Sequence, residues 1–491
     1  MNICMLVYNS VTRDSRVMRE AATLQAAGHR VTVVGVPDGE ADAAVETAEL
    51  GVTIHRVHWL EDARHKLRIS ALLRILPTLI VVGMVLFGLA FLIVSRGPIA
   101  AAISLALLFV WLLGVRPFVL ERERHDDRDT LKRQAEALFS GNLKLGEFPK
   151  PRSLFPTWIP ETLLEIALEP IDWFRSPESR FILYRYRADA VAKHAIGLKP
   201  DVIHAHDCTT LPAAVQVKQA LGIPLIYDAH EIYEASAGRR LGAVDYYIRI
   251  HRKFLRHVDR FITINRSAAN FYRNVYPFLP PAVIIRNAAQ RVEEFHYDGR
   301  LHDAAHLPRN EKILLYQGSY TGERGLQTLV RAGELLADGW SLVMMGWGPL
   351  ENELRSIAGQ SRKVHFVPAA PRRELHLWTA GATAGIIPYE NTVLNHWICT
   401  PNKLWEYPSV GVPLVVQPFP ELSDVVKTYG CGWFLPDELT PDGIATTVNG
   451  LTDKMIAQAR EGCRRFFEAD CWEAAYRQPL LDLYESMKAA Q

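Results

Sequence analysis

Short apolar runs alternate with amphipathic stretches along most of this chain. Residues 3–7 form a continuous apolar run of strand length. Residues 14–27 carry Val17, Ala21, Leu24 and Ala27 along one helical face, and Gly28 follows as a stop. Residues 31–36 and 52–57 are the next strand-like runs. The alternation resumes at Asp201, with strand runs at 202–205, 224–227, 260–263 and 283–285. It loosens near 287–297, as a linker does, and restarts at Lys312 with runs at 313–316, 341–345, 364–367, 384–387 and 413–416. Strands alternating with helices predict parallel sheets joined by right-handed crossovers. The predicted architecture is α/β, with two doubly wound domains at 1–290 and 291–470. Residues 471–491 form a helix expected to return to the first domain. Ligands of such sheets bind beyond the carboxyl ends of the strands, which places the expected site in the cleft between the domains.

Two runs break this pattern. Residues 75–95 and 99–115 contain no ionisable side chain, and only Arg96, Gly97 and Pro98 separate them. The first run has 21 residues, about 31 Å as a helix and enough to cross a hydrocarbon core of roughly 30 Å. The second has 17, at the short limit. Arg64, Lys66, Arg68 and Arg74 precede the pair, and Arg116, Arg122, Arg124 and Arg128 follow it. The positive-inside rule then predicts a transmembrane helical hairpin at 75–115, inserted in the first domain, with both catalytic-size domains on the cytoplasmic side of the inner membrane. A pair of buried core helices and a shallow re-entrant hairpin are the competing readings. Residues 116–200 read as a helical region. Within it 121–139 is a charged helix, and Phe155, Trp158, Trp173 and Phe174 either sit at a membrane interface or pack on the domain.

The chain of 491 residues balances 55 basic against 54 acidic side chains, which excludes nucleic acid as a bulk partner. Six scattered cysteines form no C-x-x-C pair, so no zinc or redox motif is suggested, and free thiols fit a reducing compartment. The first apolar stretch is too short for the core of a signal peptide.

The segment from Thr400 to Tyr407 reads as a helix start, with Thr400 as N-cap and Pro401 at the first position. A helix N-terminus suits phosphate. Glu406, on the first or second turn, suits a pair of sugar hydroxyls, and a solvated surface glutamate is an equally good reading. Gly318, Gly322 and Gly325 lie in a loop between a strand and a helix, with Arg324 among them. Gly346 and Gly348 form a second such turn. Each glycine turn alone is a weak signal. At the ends of two strands of the first domain lie His204, His206 and Asp207, then Asp228, His230 and Glu231. Strand alternation points His204 and His206 one way and Asp207 the other. That argues against a metal centre and for a structural His204.

Taken together, these residues resemble the GT-B glycosyltransferases, and more closely the retaining glycosyltransferase family 4. The resemblance covers residues 1–57 and 201 onward, including Asp14, Ser15, Arg16 and Val17 with Arg19, Glu20 and Ala21. It also takes in both histidine clusters, both glycine turns, and Pro401 to Tyr407 followed by Gly411 and Pro413. It implies two Rossmann-like domains and transfer of a sugar from a nucleotide-sugar donor, with a UDP-sugar expected, to a lipid-linked or glycan acceptor at the bilayer. Retention of configuration and no required cofactor or metal are also implied. By resemblance Glu406 holds the ribose, Arg324 lies on the diphosphate beside the glycine loop of Gly318, Gly346 and Gly348 form the turn beside the nucleotide, and Asn402 and Lys403 serve the phosphate or the donor sugar. Backbone near Val367 meets the base, and His230 lies near the transferred sugar. The implied catalytic set is His230, Arg324, Lys403 and Glu406. Asp14, Arg16, His206, Asp207 and Glu231 form the implied acceptor side. The family's paired glutamates would require an acid at Ile398, so Asn395 or His396 is the expected substitute. Ser319 stands where a basic residue is frequent, leaving Arg324 to carry the charge. A nucleotide-sugar 2-epimerase and a non-catalytic membrane scaffold are the alternatives.

Overall fold

The computed structural model describes residues 1–12, 14–37, 43–48, 51–59, 181–235, 243–292 and 296–488. The predicted hairpin at 75–115, the charged helix at 121–139 and the aromatic stretch at 154–174 lie outside them. The 116–200 region is described only from residue 181. Among the described residues no helix is long and apolar enough to cross a membrane.

Two parallel sheets organise the described residues. The first contains β1 (Asn2–Leu6), β2 (Arg30–Gly35), β3 (Val45–Thr47), β4 (Thr53–Arg56), β5 (Val202–His206), β6 (Leu225–Ala229), β7 (Arg260–Thr263) and β8 (Ala282–Ile284), in the order β3-β4-β2-β1-β5-β6-β7-β8. All pairs are parallel except β3 with β4. The second contains β9 (Lys312–Ser319), β10 (Trp340–Trp347), β11 (Val364–Val367), β12 (Ala384–Ile387), β13 (Leu414–Val416) and β14 (Gly432–Phe434), in the order β11-β10-β9-β12-β13-β14. Helices cover both faces, so central strands such as β5 and β6 are buried at every position. That burial is why they read as continuous apolar runs rather than alternating ones.

The sequence pattern misses β3 and β14, each of three residues at a sheet edge with no fully buried position. It also ends β9 and β10 too early. Both continue through their glycines, which pair in register, Gly318 with Gly346 and Ser319 with Trp347. A Cβ on Gly346 would lie 2.0 Å from the Gly318 carbonyl oxygen. Strand pairing by itself therefore requires glycine at 346.

The segment after residue 470 packs on the first domain. The Trp472 indole donates to Thr23 Oγ1 at 3.0 Å, and in helix Arg477–Lys488 the Tyr484 hydroxyl lies 2.8 Å from His204 Nδ1. The seam between the domains is polar at one point and apolar at another. The amide and hydroxyl of Ser267 donate to Glu421 Oε1 at 3.0 and 2.8 Å, and Arg286 bonds the other oxygen at 3.1 Å. Leu394 and Ile398 join the buried core of the first domain. Burying apolar area in this way is worth about 25 cal/mol per Å².

Candidate active site

The carboxyl ends of the two sheets face each other across a cavity of about 280 Å³. Its walls include Asn9, Asp14 and His230 from the first domain and Arg372 and Asn402 from the second.

On the second domain, Lys403 and Arg324 converge on one hydroxyl. Arg324 Nη1 donates to Tyr389 Oη at 2.8 Å, and Lys403 Nζ to the same oxygen at 3.4 Å. The ammonium also sits 5.2 and 5.5 Å from the ring centres of Tyr316 and Tyr389. Lys403 is buried, and neither cation has a carboxylate partner among the described residues. Desolvation therefore pulls the Lys403 pKa below its usual value. Gly318 leaves the space this ammonium occupies, since a Cβ there would approach Nζ to 3.1 Å. Two cations sharing a neutral acceptor keep most of their charge available to an anion.

Glu406 is half-buried and accepts from Gln317 Nε2 at 2.8 Å; Gln317 in turn accepts from the Thr379 hydroxyl at 2.8 Å. The carboxylate is thus oriented from the end of β9 and keeps one oxygen uncommitted. The helix that carries it corrects the expected cap. It spans only Lys403–Glu406 with Asn402 at its N-cap, and the Thr400 hydroxyl instead accepts from Asn265 Nδ2 at 3.4 Å across the seam. One turn has little macrodipole, so the anion-attracting charge here belongs to Lys403 and Arg324. Val367 is buried at the end of β11.

On the first domain, the acceptor-side set divides. Asp14 caps helix Ser15–Ala26, accepting from the Val17 amide at 3.2 Å and from Asn9 Nδ2 at 2.9 Å, and lines the cavity. Arg16 touches the cavity but is buried and fully engaged. It grips Asp228 through Nε and Nη2 at 2.7 and 2.8 Å, and donates to the Ile285 carbonyl at 2.7 Å. Burial opposes the Asp228 charge, but Arg16 and then His230 outweigh it and hold the carboxyl well below its usual range. Arg16 therefore ties the first helix to β6 and the domain junction rather than reaching for an acceptor. His206 is also withdrawn, buried with Nδ1 3.2 Å from Asp228 Oδ2. Glu231 accepts from Asn395 Nδ2 at 3.2 Å across the seam.

His230 stands between two carboxylates, Asp207 Oδ1 at 3.2 Å from Nδ1 and Asp228 Oδ2 at 3.1 Å from Nε2. Burial works against its charge, yet the two acids prevail and raise its pKa to about 9. The strand pattern does stack His204 and His206 on one face, their ring centres 4.1 Å apart. Glu20, His204, His206 and Asp228 bring one potential ligand atom each within 4.8 Å of the others. The Arg16 guanidinium already lies against both acids of this group, at 3.2 Å from Glu20 and 2.7 Å from Asp228. Arg16 thus offsets negative charge in this group, while His204 Nε2, His206 Nε2 and both Glu20 oxygens have no hydrogen-bond partner among the described residues. Sequence reasoning missed this buried ion cluster because its partners lie far apart in the chain.

Ile398 is buried, and its carbonyl accepts from Asn265 Nδ2 at 2.7 Å. Of its expected substitutes, Asn395 is spent on the seam, accepting from the Ile232 amide at 2.9 Å. His396 stacks near Tyr389 at 5.7 Å, and burial followed by Arg324 lowers its pKa to about 4, so it is neutral.

Residues 163–288 match the family model of a glycosyl transferase 4-like domain, and residues 311–454 that of glycosyl transferases group 1. These two stretches are thus similar to domains of glycosyltransferases. An uncharacterized glycosyltransferase of Bacillus subtilis (strain 168), YqgM, is 24% identical over 197 residues, 38% of this chain and 52% of that protein. The chain thus spans about half the length of that curated relative. Among solved structures, sucrose-phosphate synthase from Thermosynechococcus elongatus superposes with a TM-score of 0.65 at 14% identity, covering 100% of both chains. WaaG, a glycosyltransferase involved in lipopolysaccharide biosynthesis, superposes with a TM-score of 0.57 at 11% identity over 98% of this chain and 99% of that one. At such identities these likenesses establish the GT-B fold of the glycosyltransferase domains and nothing finer.

Proposed function

We propose that this chain transfers a hexose from a nucleotide diphosphate sugar, UDP-linked by preference, to a membrane-borne lipid-linked or glycan acceptor, with retention of configuration. The observation that carries the reading is the pair of cations, Arg324 and Lys403, converging on Tyr389 without a carboxylate between them and with Glu406 on the same short segment. A nucleoside diphosphate matches that arrangement. Its phosphates take the two cations, and its ribose diol takes the uncommitted oxygen of Glu406. As the sugar leaves, charge accumulates on the diphosphate, and preorganised cations stabilise it. No carboxylate of the cavity is placed as a free nucleophile. Asp14 is occupied as a helix cap, while Asp207 and Asp228 hold His230. Front-face transfer, with the acceptor proton passing to the leaving phosphate, needs none.

The membrane part of the proposal rests on the uncharged runs at 75–95 and 99–115 with their basic flanks. The insertion falls between β4 and β5 of the first domain, so it holds that domain at the inner face of the cytoplasmic membrane. The test is a transfer assay with radiolabelled nucleotide sugars and a membrane lipid extract. Arg324→Ala and Glu406→Ala should each lower transfer at least tenfold. Replacing 75–115 by a short polar linker should spare nucleotide binding but abolish transfer to lipid. Wild-type transfer by both point variants would overturn the site, and undiminished lipid transfer by the deletion would overturn the membrane acceptor.

A further inference from the structure

Asp207 has φ 69° and ψ 151°, a region that is nearly glycine-only and strained for other residues. The surroundings hold it there. Its N–H donates to the Asp228 carbonyl at 3.0 Å, and its own carbonyl accepts from the amide and hydroxyl of Thr210 at 3.2 and 2.9 Å. Glycine would make the same turn without strain, so the strain is the cost of placing a carboxylate at this point. That carboxylate accepts from the Tyr233 hydroxyl and lies 3.2 Å from His230 Nδ1. On the other side of the ring, Asp228 lies 3.1 Å from Nε2 and is itself fixed by Arg16. The ring lines the cavity with 17% of its side chain exposed.

We propose that Asp207 is a positioning residue for the transfer proposed above, gripping His230 together with Asp228 so that the ring presents a fixed positive charge to the donor and cannot serve as a base. With Nε2–H donating to Asp228 and Nδ1 within ion-pair distance of Asp207, the ring is held doubly protonated, and in that form neither nitrogen has a lone pair for an acceptor proton. The other charges facing His230 do not upset this balance. Asp14 and Glu20 add negative field, while Arg16 opposes it and is itself held by Asp228. The inference rests on the glycosyltransferase reading for its purpose, but its physical content is a property of the protein alone.

The experiment is carbon-13 histidine NMR of the full-length chain in detergent, without donor, with the His230 signal identified by its loss in His230→Gln. His230 should titrate near pH 9. Asp207→Asn should lower its proton affinity at least tenfold. Asp207→Gly should do the same while relieving the backbone, so a fold defect and a charge defect are separated. In the transfer assay, the high-pH loss of activity should move to lower pH in both variants, and a merely structural Asp207 would lower kcat with that midpoint unmoved. A wild-type His230 titrating between 6 and 7, or activity that rises with a group of that pKa, would overturn the proposal. Titration near 9 in a protein that transfers no sugar would leave the clamp standing and defeat the functional reading instead.

Discussion

Replacing Lys403 with methionine should stabilise the donor-free protein and weaken donor binding, two effects of opposite sign from one substitution. The ammonium is 6% exposed and makes no ion pair with a carboxylate among the described residues. Burying an unpaired cation costs several kcal/mol. Two ring contacts, at 5.2 and 5.5 Å, recover about 0.5–2 kcal/mol each. One long hydrogen bond to Tyr389 adds on the order of 1 kcal/mol. The net cost left in the donor-free state is on the order of 1–2 kcal/mol. Methionine fills nearly the same volume without that cost. At about 2–4 °C per kcal/mol for domains of this size, the melting temperature should rise by about 2–8 °C. A desolvated lysine on a phosphate is worth about 2–3 kcal/mol, so UDP should bind roughly 30–150-fold more weakly. Thermal melting followed by calorimetric titration with UDP reads both. A variant that melts lower than wild type and binds UDP equally well would show that Lys403 is a structural cation, and the diphosphate site would have to be sought elsewhere.

Two further predictions concern the buried ion cluster. Arg16→Ala removes the two-pronged partner of the buried Asp228 and leaves it only the histidines His230 and His206, so melting should show a loss of about 3–5 kcal/mol; Arg16→Lys should rescue little of it, because the contact to Asp228 is two-pronged. Stability should also fall at both ends of the pH scale. Asp228 has its folded pKa depressed below 3.8, so its contribution is present above that value and is lost as pH falls beneath it. His230 is raised from 6.5 to about 9, so its contribution is complete below 6.5 and is lost as pH climbs through 9. Melting curves from pH 3 to 10 on wild type and His230→Gln check both limbs, and the alkaline one should flatten in the variant.

The central strands were legible because both faces of each are covered, leaving unbroken apolar runs such as those of β5 and β6. The same logic hid β3 and β14, whose edge positions bury too little to mark them. Helix Ser15–Ala26 shows where periodicity runs out. Its apolar stripe was readable, but Arg16 and Glu20 are just as buried as Val17 and Leu24. What buries them is Asp228, 212 positions away, and no local pattern carries that pairing. The Thr400 cap failed for a related reason, since the hydroxyl found a partner on the other domain. Arg324 lies in the turn between β9 and the following helix, Lys403 and Glu406 lie on the one-turn helix Lys403–Glu406, and the contacts that bring them together, to Tyr389 and Gln317, are not carried by any local pattern. The strained Asp207 was not legible either, because its backbone is set by Thr210 and by Asp228 on the adjacent strand.

The isoleucine at 398 bears on how site and seam are related. In a nucleotide-sugar enzyme that relied on a carboxylate here, the acid would face the sugar and the surrounding turn would be wet. Here the side chain belongs to the first domain's core, its neighbour Asn395 is bonded to Ile232 and Glu231, and its carbonyl is held by Asn265. The stretch 394–400 therefore works as a latch between the domains, and it runs directly into Asn402, Lys403 and Glu406. An acid at 398 would be buried in an apolar contact without a partner, at a cost that no sugar hydroxyl on the far side of the turn could offset. On the proposed function, the two cations answer the diphosphate while no carboxylate at 398 answers the sugar, so that reading weights donor recognition on the second domain toward the nucleotide and leaves discrimination among sugars to the wall opposite, where His230 and Asp14 line the cavity.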